Sequence, residues 1–92
     1  MDNQRSEIYL NHPSFGLLYQ ICQLKDNQNI YTTLYAQRLF FLVTIGADNF
    51  TFDPISRSDA RLLVENRLRQ LRIQGTAEEY QELQAVYQRT FQ

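Results

Sequence analysis

The chain has one histidine, one cysteine, no tryptophan, three glycines and two prolines in 92 residues. Each scarcity removes a class of function. A metal site needs three or four His, Cys or carboxylate ligands held together, and no such cluster is visible along the chain. A lone cysteine, Cys22, cannot form an intramolecular disulfide and gives no sign of an oxidising compartment. Cys22 and His12 are the only residues from which a thiol nucleophile and its base could be drawn. Cys22, however, falls within the apolar stretch GLLYQICQL, where a thiol packs as a small inert hydrophobe. His12 precedes Pro13, which favours an extended loop or turn at the surface. Isolated glycines build no phosphate-cradling loop. With no catalytic set left, the expectation is a non-enzyme without cofactors. No apolar run approaches the roughly 20 residues of a membrane helix, and Met1–Ser6 is polar, so a soluble cytoplasmic protein is expected. An excess of one charge is missing too. The net charge of −1 falls short of the basic surplus with which nucleic-acid binders neutralise phosphates.

Aromatic residues are plentiful, with six Tyr and six Phe. Such rings fill small cores, and Tyr is also favoured in protein interfaces. Core is scarce in so short a chain, which buries only about 60–65% of the surface its unfolded form exposes. From Tyr9 to Phe52 the pattern is β-rich. Gly16–Leu24 reads as a first strand and Lys25–Asn29 as a polar turn. Ile30–Ile45 is rich in Thr, Tyr, Phe, Ile and Val but too long for one strand, so a bend or break is expected near Ala36-Gln37-Arg38. Gly46–Asn49 is a turn and Phe50–Phe52 a last short strand, closed by Pro54. Short, closely spaced strands of this kind predict a small SH3-like barrel, and the fold class is α+β.

From Ser56 onward the chain reads as helical. Ser56-Arg57-Ser58-Asp59 is a capping box, with Ile55 and Ala60 placed for a hydrophobic staple; the helix runs to about Gln74, with Gly75 as its stop. Thr76-Ala77-Glu78-Glu79 is a second box, opening a helix to about Thr90, and the short link predicts an antiparallel hairpin. Ala60, Leu63, Val64, Leu68 and Leu71 share one arc of the first helix, with Leu62 and Ile73 opposite. Two apolar sides predict a helix sandwiched between the second helix and the barrel. The second helix has one stripe, Tyr80, Leu83, Tyr87 and Phe91. Five arginines of the first helix (Arg57, Arg61, Arg67, Arg69, Arg72) are expected to pair with Glu78, Glu79 and Glu82 of the second. The rival use of those arginines is nucleic-acid binding by a Tudor/SH3-like module. At the expected break, Tyr35, Gln37 and Arg38 would display a ring, an amide and a guanidinium together, and Tyr and Arg are the types most enriched in interface hot spots.

The runs Tyr9–Pro13 (YLNHP), Phe15–Tyr19 (FGLLY), Thr32–Thr44 (TTLYAQRLFFLVT), Pro54–Leu63 (PISRSDARLL) and Arg67–Arg72 (RLRQLR), with the closing Thr90-Phe91-Gln92, resemble the PipX family, the PII-interacting protein X of cyanobacteria. The resemblance covers nearly the whole chain; departures fall in Met1–Ser6, Lys25–Asn29 and Ala47–Asn49. It implies an N-terminal Tudor-like barrel, residues 1–54, followed by a C-terminal helical hairpin, residues 55–92. It further implies binding to the trimeric signalling protein PII when 2-oxoglutarate is low, and coactivation of the 2-oxoglutarate-bound nitrogen regulator NtcA when PII lets go. Both partners would use largely one barrel surface. Tyr35 and Arg38 match the family's contact positions, with Gln37, Leu39, Phe41, Tyr9 and Glu7 around them. The hairpin is implied to face RNA polymerase, with no direct binding to DNA or membrane.

Overall fold

The computed structural model of the chain describes residues 9–25, 27–33 and 38–92. Five strands precede two helices: β1 Tyr9–His12, β2 Gly16–Lys25, β3 Gln28–Thr33, β4 Phe40–Ile45, β5 Phe50–Ile55, α1 Arg57–Gln74 and α2 Ala77–Phe91. The strands form one antiparallel meander in the order β1-β2-β3-β4-β5, curled into a half-barrel. The long β-rich stretch from Ile30 to Ile45 is indeed broken, into β3 and β4; Ala36 and Gln37 of the expected bend lie outside the described residues.

Three strand boundaries differ from the sequence expectation: β3 begins at Gln28, inside the expected Lys25–Asn29 turn, because Gln28 and Asn29 pair with Thr44 and Val43. Tyr9–His12 is a strand of its own, paired with Tyr19–Gly16. Four residues interrupted by Asn and His carry too little alternation to announce it, and the long-range pairing makes it. Pro54 does not close the sheet either. It lies inside β5, opposite Phe41, and β5 is an edge strand, the kind of strand in which proline's missing N–H is tolerated.

The period-2 alternation of β3 and β4 sorts side chains into two cores. Tyr31, Phe41 and Val43 join Leu18 in a cluster on the inner face, flanked by Leu10 and Phe52. Ile30 and Phe40 point the other way, into the larger cluster shared with Ala60, Val64 and Leu71 of α1 and Leu83, Tyr87 and Phe91 of α2. A bulge at Ile21, which has no Cα partner between Gln20 and Cys22, lets both Ile21 and Cys22 reach the helix-facing core. Cys22 is buried there, and burial pushes its thiol up to about 12, with Arg67 partly opposing the rise. It packs as a hydrophobe, as its setting in the strand implied.

Both helices lie on this one face: α1 packs on α2, β2 and β4, and α2 packs on β2. A single arc of α1 therefore serves both neighbours. Leu62 and Ile73 stay largely exposed, at 55% and 82%, which corrects the expectation that two opposite apolar sides of the helix are sandwiched. Both N-caps fall where the sequence places them, but the expected box at Ser56–Asp59 is one-sided, with no bond from the Asp59 side chain back to Ser56. Ser56 Oγ accepts the Asp59 N–H at 3.0 Å, and Thr76 with Glu79 forms the full reciprocal box. Gly75 ends α1 in an extended conformation, not a left-handed one. Glycine is needed there for space, because a Cβ would meet Leu71 Cδ2 at 2.7 Å and the Leu71 carbonyl oxygen at 3.0 Å.

Candidate partner-binding site

Strand directions alternate, so one end of the sheet collects the β1–β2 turn, the connection between β3 and β4, and the junction of β5 with α1. The β3–β4 connection is held at its base from both sides. Leu39 accepts hydrogen bonds at its carbonyl from the Thr33 N–H (3.1 Å) and from Thr32 Oγ1 (2.7 Å), and donates its own N–H to Thr33 Oγ1 (3.0 Å). Thr32 and Thr33 are buried, so these bonds are shielded from water and fix where the chain re-enters β4. Arg38 and Leu39 stand exposed just before that point, Leu39 with 40% of its surface open.

The β1–β2 turn is built around His12. Its Nδ1 accepts the N–H groups of Ser14 (3.0 Å) and Phe15 (3.3 Å). The ring also stacks on Phe41 (centroids 5.9 Å apart) and meets Phe52 edge-on (5.1 Å). His12 is thus a turn-forming residue half-buried among aromatics. Gly16, at φ +76°, completes the reversal in the left-handed region that glycine occupies without cost. Phe15, held at the turn, remains 45% exposed.

Between these pieces lies a cleft of about 250 Å³ lined by Phe15, Arg38, Leu39, Phe40, Phe41 and, from the far wall, Pro54, Ile55, Ser56 and Arg57. Of the residues singled out from the sequence, the fold brings Arg38, Leu39 and Phe41 together here. Phe41 is only 3% exposed and forms floor rather than outer surface. Tyr9 is exposed but sits on the edge strand β1, its ring 5.6 Å from that of Tyr19 on the helix-facing side, and lines no part of this cleft. Tyr35, Gln37 and Glu7 lie outside the described residues. The far wall had escaped sequence reasoning, although the spacing Pro54-Ile55-Ser56, ending a strand and capping a helix, marks a junction that must face the other loops at that end.

The five arginines of α1 do not pair with the glutamates of α2. Arg61 Nε donates to Tyr87 Oη (3.0 Å) and Glu65 (3.2 Å), Arg72 donates to Tyr80 Oη (2.9 Å), Arg67 to Gln70 (3.2 Å) and Arg69 to Asn66. Arg57 lies over the Phe91 ring, 5.5 Å from its centre. The α2 stripe meets α1 through its tyrosines, which leaves Glu79 to its cap and Glu82 to the groove against β2. Tyr87 also donates to Glu65, and that bond, before the Arg61 guanidinium, holds the Glu65 carboxyl below its ordinary range.

A half-barrel with a docked helical hairpin, carrying exposed apolar and cationic side chains at one end, belongs to the class of small α+β modules that present contact surface. No group of three metal-ligating side chains gathers among the described residues, and no described helix is long and apolar enough to cross a membrane. The model of the PipX family, PII-interacting protein X, matches residues 6–91. The chain belongs to that family, a regulatory family named for interaction with PII and not a family of enzymes. No curated protein matches the chain.

Proposed function

We propose that this protein is a cytoplasmic adaptor that binds the PII trimer and the regulator NtcA through the end of the half-barrel around Arg38 and Leu39. The observation that carries the reading is the fixed base of the β3–β4 connection: Leu39 is tied by three hydrogen bonds to buried threonines, so Arg38 and Leu39 are offered on a rigid mount. Preorganised display of this kind lowers the ordering cost of binding. Phe41 supports this surface from below, and Tyr35, Gln37, Tyr9 and Glu7 belong to the same proposed contact set. PII captures the protein when 2-oxoglutarate is low; when PII releases it, it stabilises the 2-oxoglutarate-bound state of NtcA. Coactivation is then linkage, because a partner that prefers the active state shifts the population toward it by its differential affinity. Residues 1–54 carry partner binding, and residues 55–92 form the surface offered to RNA polymerase. Four of the five α1 arginines donate hydrogen bonds within the hairpin, which favours a protein-binding over a nucleic-acid-binding role for that helix.

The test is a pull-down from native lysate with and without 2-oxoglutarate plus ATP, repeated with Tyr35→Ala and Arg38→Ala. PII is expected without the ligands and NtcA with them. Each variant should lose about 2 kcal/mol or more of binding to both partners. Unchanged binding of both partners to both variants would sink the shared-surface reading. A sequence-selective DNA complex at physiological salt without NtcA would favour the nucleic-acid role instead.

A further inference from the structure

The cleft beside Arg38 has a far wall made of residues outside the contact set proposed above: Pro54, Ile55 and Arg57, with Phe15 at the side. Its floor and sides are apolar, and at about 250 Å³ it is larger than the roughly 150 Å³ engineered cavity that accepts a benzene. The floor is firm, since Phe40 and Phe41 are each 3% exposed and Phe40 stacks on Phe91 (centroids 5.4 Å apart). Arg38 and Arg57 both contribute to the lining of this cleft, and neither forms an ion pair with a described residue. Arg57 is occupied only through its face, by the Phe91 ring. A guanidinium stacked on a ring keeps its N–H edges available for bidentate recognition of a carboxylate. Asp53 and Asp59, the acidic residues flanking the far wall in sequence, are exposed and pair with neither arginine.

An apolar hole flanked by two arginines that have no ion pair among the described residues is complementary to one kind of occupant. We propose that the cleft receives an apolar side chain of PII that has a carboxylate beside it in the same segment, with Arg38 and Arg57 binding that carboxylate. The proposal rests on the reading of this end of the half-barrel as the PII surface, and it adds Arg57 and Phe15 to that surface.

The experiment measures the affinity of the full chain for purified PII trimer with Arg38→Ala, Arg57→Gln and Arg57→Glu. Arg57→Gln should weaken binding about tenfold and Arg57→Glu by a further order of magnitude, since truncating one partner of a desolvated charge pair is costly and reversing it adds repulsion. Arg57 is the first residue of α1, where a glutamate favours the helix N-terminus, so a thermal melt should show the fold intact. If Arg38→Ala weakens binding while both Arg57 variants bind as the parent does, the cleft proposal is overturned and the surface reading stands. If Arg38→Ala also has no effect, the surface reading falls and takes the proposal with it. A photo-crosslinking phenylalanine analogue at position 15 identifies the occupant. Capture of a PII segment with an apolar residue next to Asp or Glu is expected. Capture of a second copy of this chain, or of a PII segment without an acidic residue, overturns the proposal.

Discussion

In the hairpin, Arg61 donates to Tyr87 and Glu65, and Arg72 donates to Tyr80 while lying over its ring, 5.3 Å from the centre. At the far end of the sheet, Arg38 makes no hydrogen bond or ion pair with any described residue, and exposed Leu39 and Phe15 stand beside it. Among the described residues, the same side-chain type is thus committed in one region and uncommitted in the other. Committed cations hold α1 on α2; an uncommitted cation beside apolar surface has its interactions still to make. Stability and recognition are divided along that line, and the junction between the two regions is aromatic, with Phe40 of β4 stacked on Phe91 of α2.

That division can be broken most severely at the junction. Phe40→Ala empties a site 3% exposed in the shared core and should cost about 3–5 kcal/mol in urea denaturation. A loss under 1 kcal/mol would mean that the hairpin is anchored elsewhere. Next in size is Gly75→Ala, whose Cβ must displace Leu71 from 2.7 Å; about 1–3 kcal/mol of stability should go, with PII affinity unchanged in the fraction that remains folded. Reduced affinity of the folded protein would tie the hairpin turn to recognition and blur the contrast.

Tyr87→Phe removes the phenol that joins Arg61 and Glu65 and should cost about 1 kcal/mol at neutral pH. It also changes the acid side of the stability profile. A carboxyl depressed in the folded state stabilises above its unfolded value, about 4.3 for glutamate, and that contribution is lost as pH falls through the lower folded value. The phenol is the leading cause of the Glu65 depression, so the loss between pH 5 and 3 should be shallower in Tyr87→Phe, by a small amount given the exposure of the site. Equal slopes in parent and variant would refute that assignment. The smallest effect is expected for Ile73→Ser, within about 0.5 kcal/mol, because Ile73 is 82% exposed. A larger loss in a monomeric sample would show that this side chain is covered after all.

The hairpin was legible in the sequence nearly to the residue. Its start, stop and restart depend on Ser56, Gly75 and Thr76, whose bonds span three or four positions and are decided by local chemistry alone. The β-rich half was legible in class and in its central break, because Thr, Tyr, Phe and Val crowd residues 30–45. Its first strand was not, since β1 exists only through pairing with β2. The candidate site was half legible: Arg38 and Leu39 follow from their place at the break. The far wall of Pro54, Ile55 and Arg57, some fifteen to twenty positions along the chain, is set against them only by the register of β5 on β4.

Composition and local pattern by themselves determined an α+β chain with a capped helical hairpin, an inert buried thiol and an aromatic, cation-bearing break in its sheet. Only the tertiary structure decided which arginines are tied by tyrosines, that Leu62 and Ile73 face water, and that the β1–β2 turn, the β3–β4 connection and the start of α1 share one cleft. The physical reason is range. Caps, turns and alternation are fixed by neighbours a few residues apart, whereas a cleft and its charge balance arise from contacts between segments that meet only when the sheet has curled and the helices have covered one of its faces.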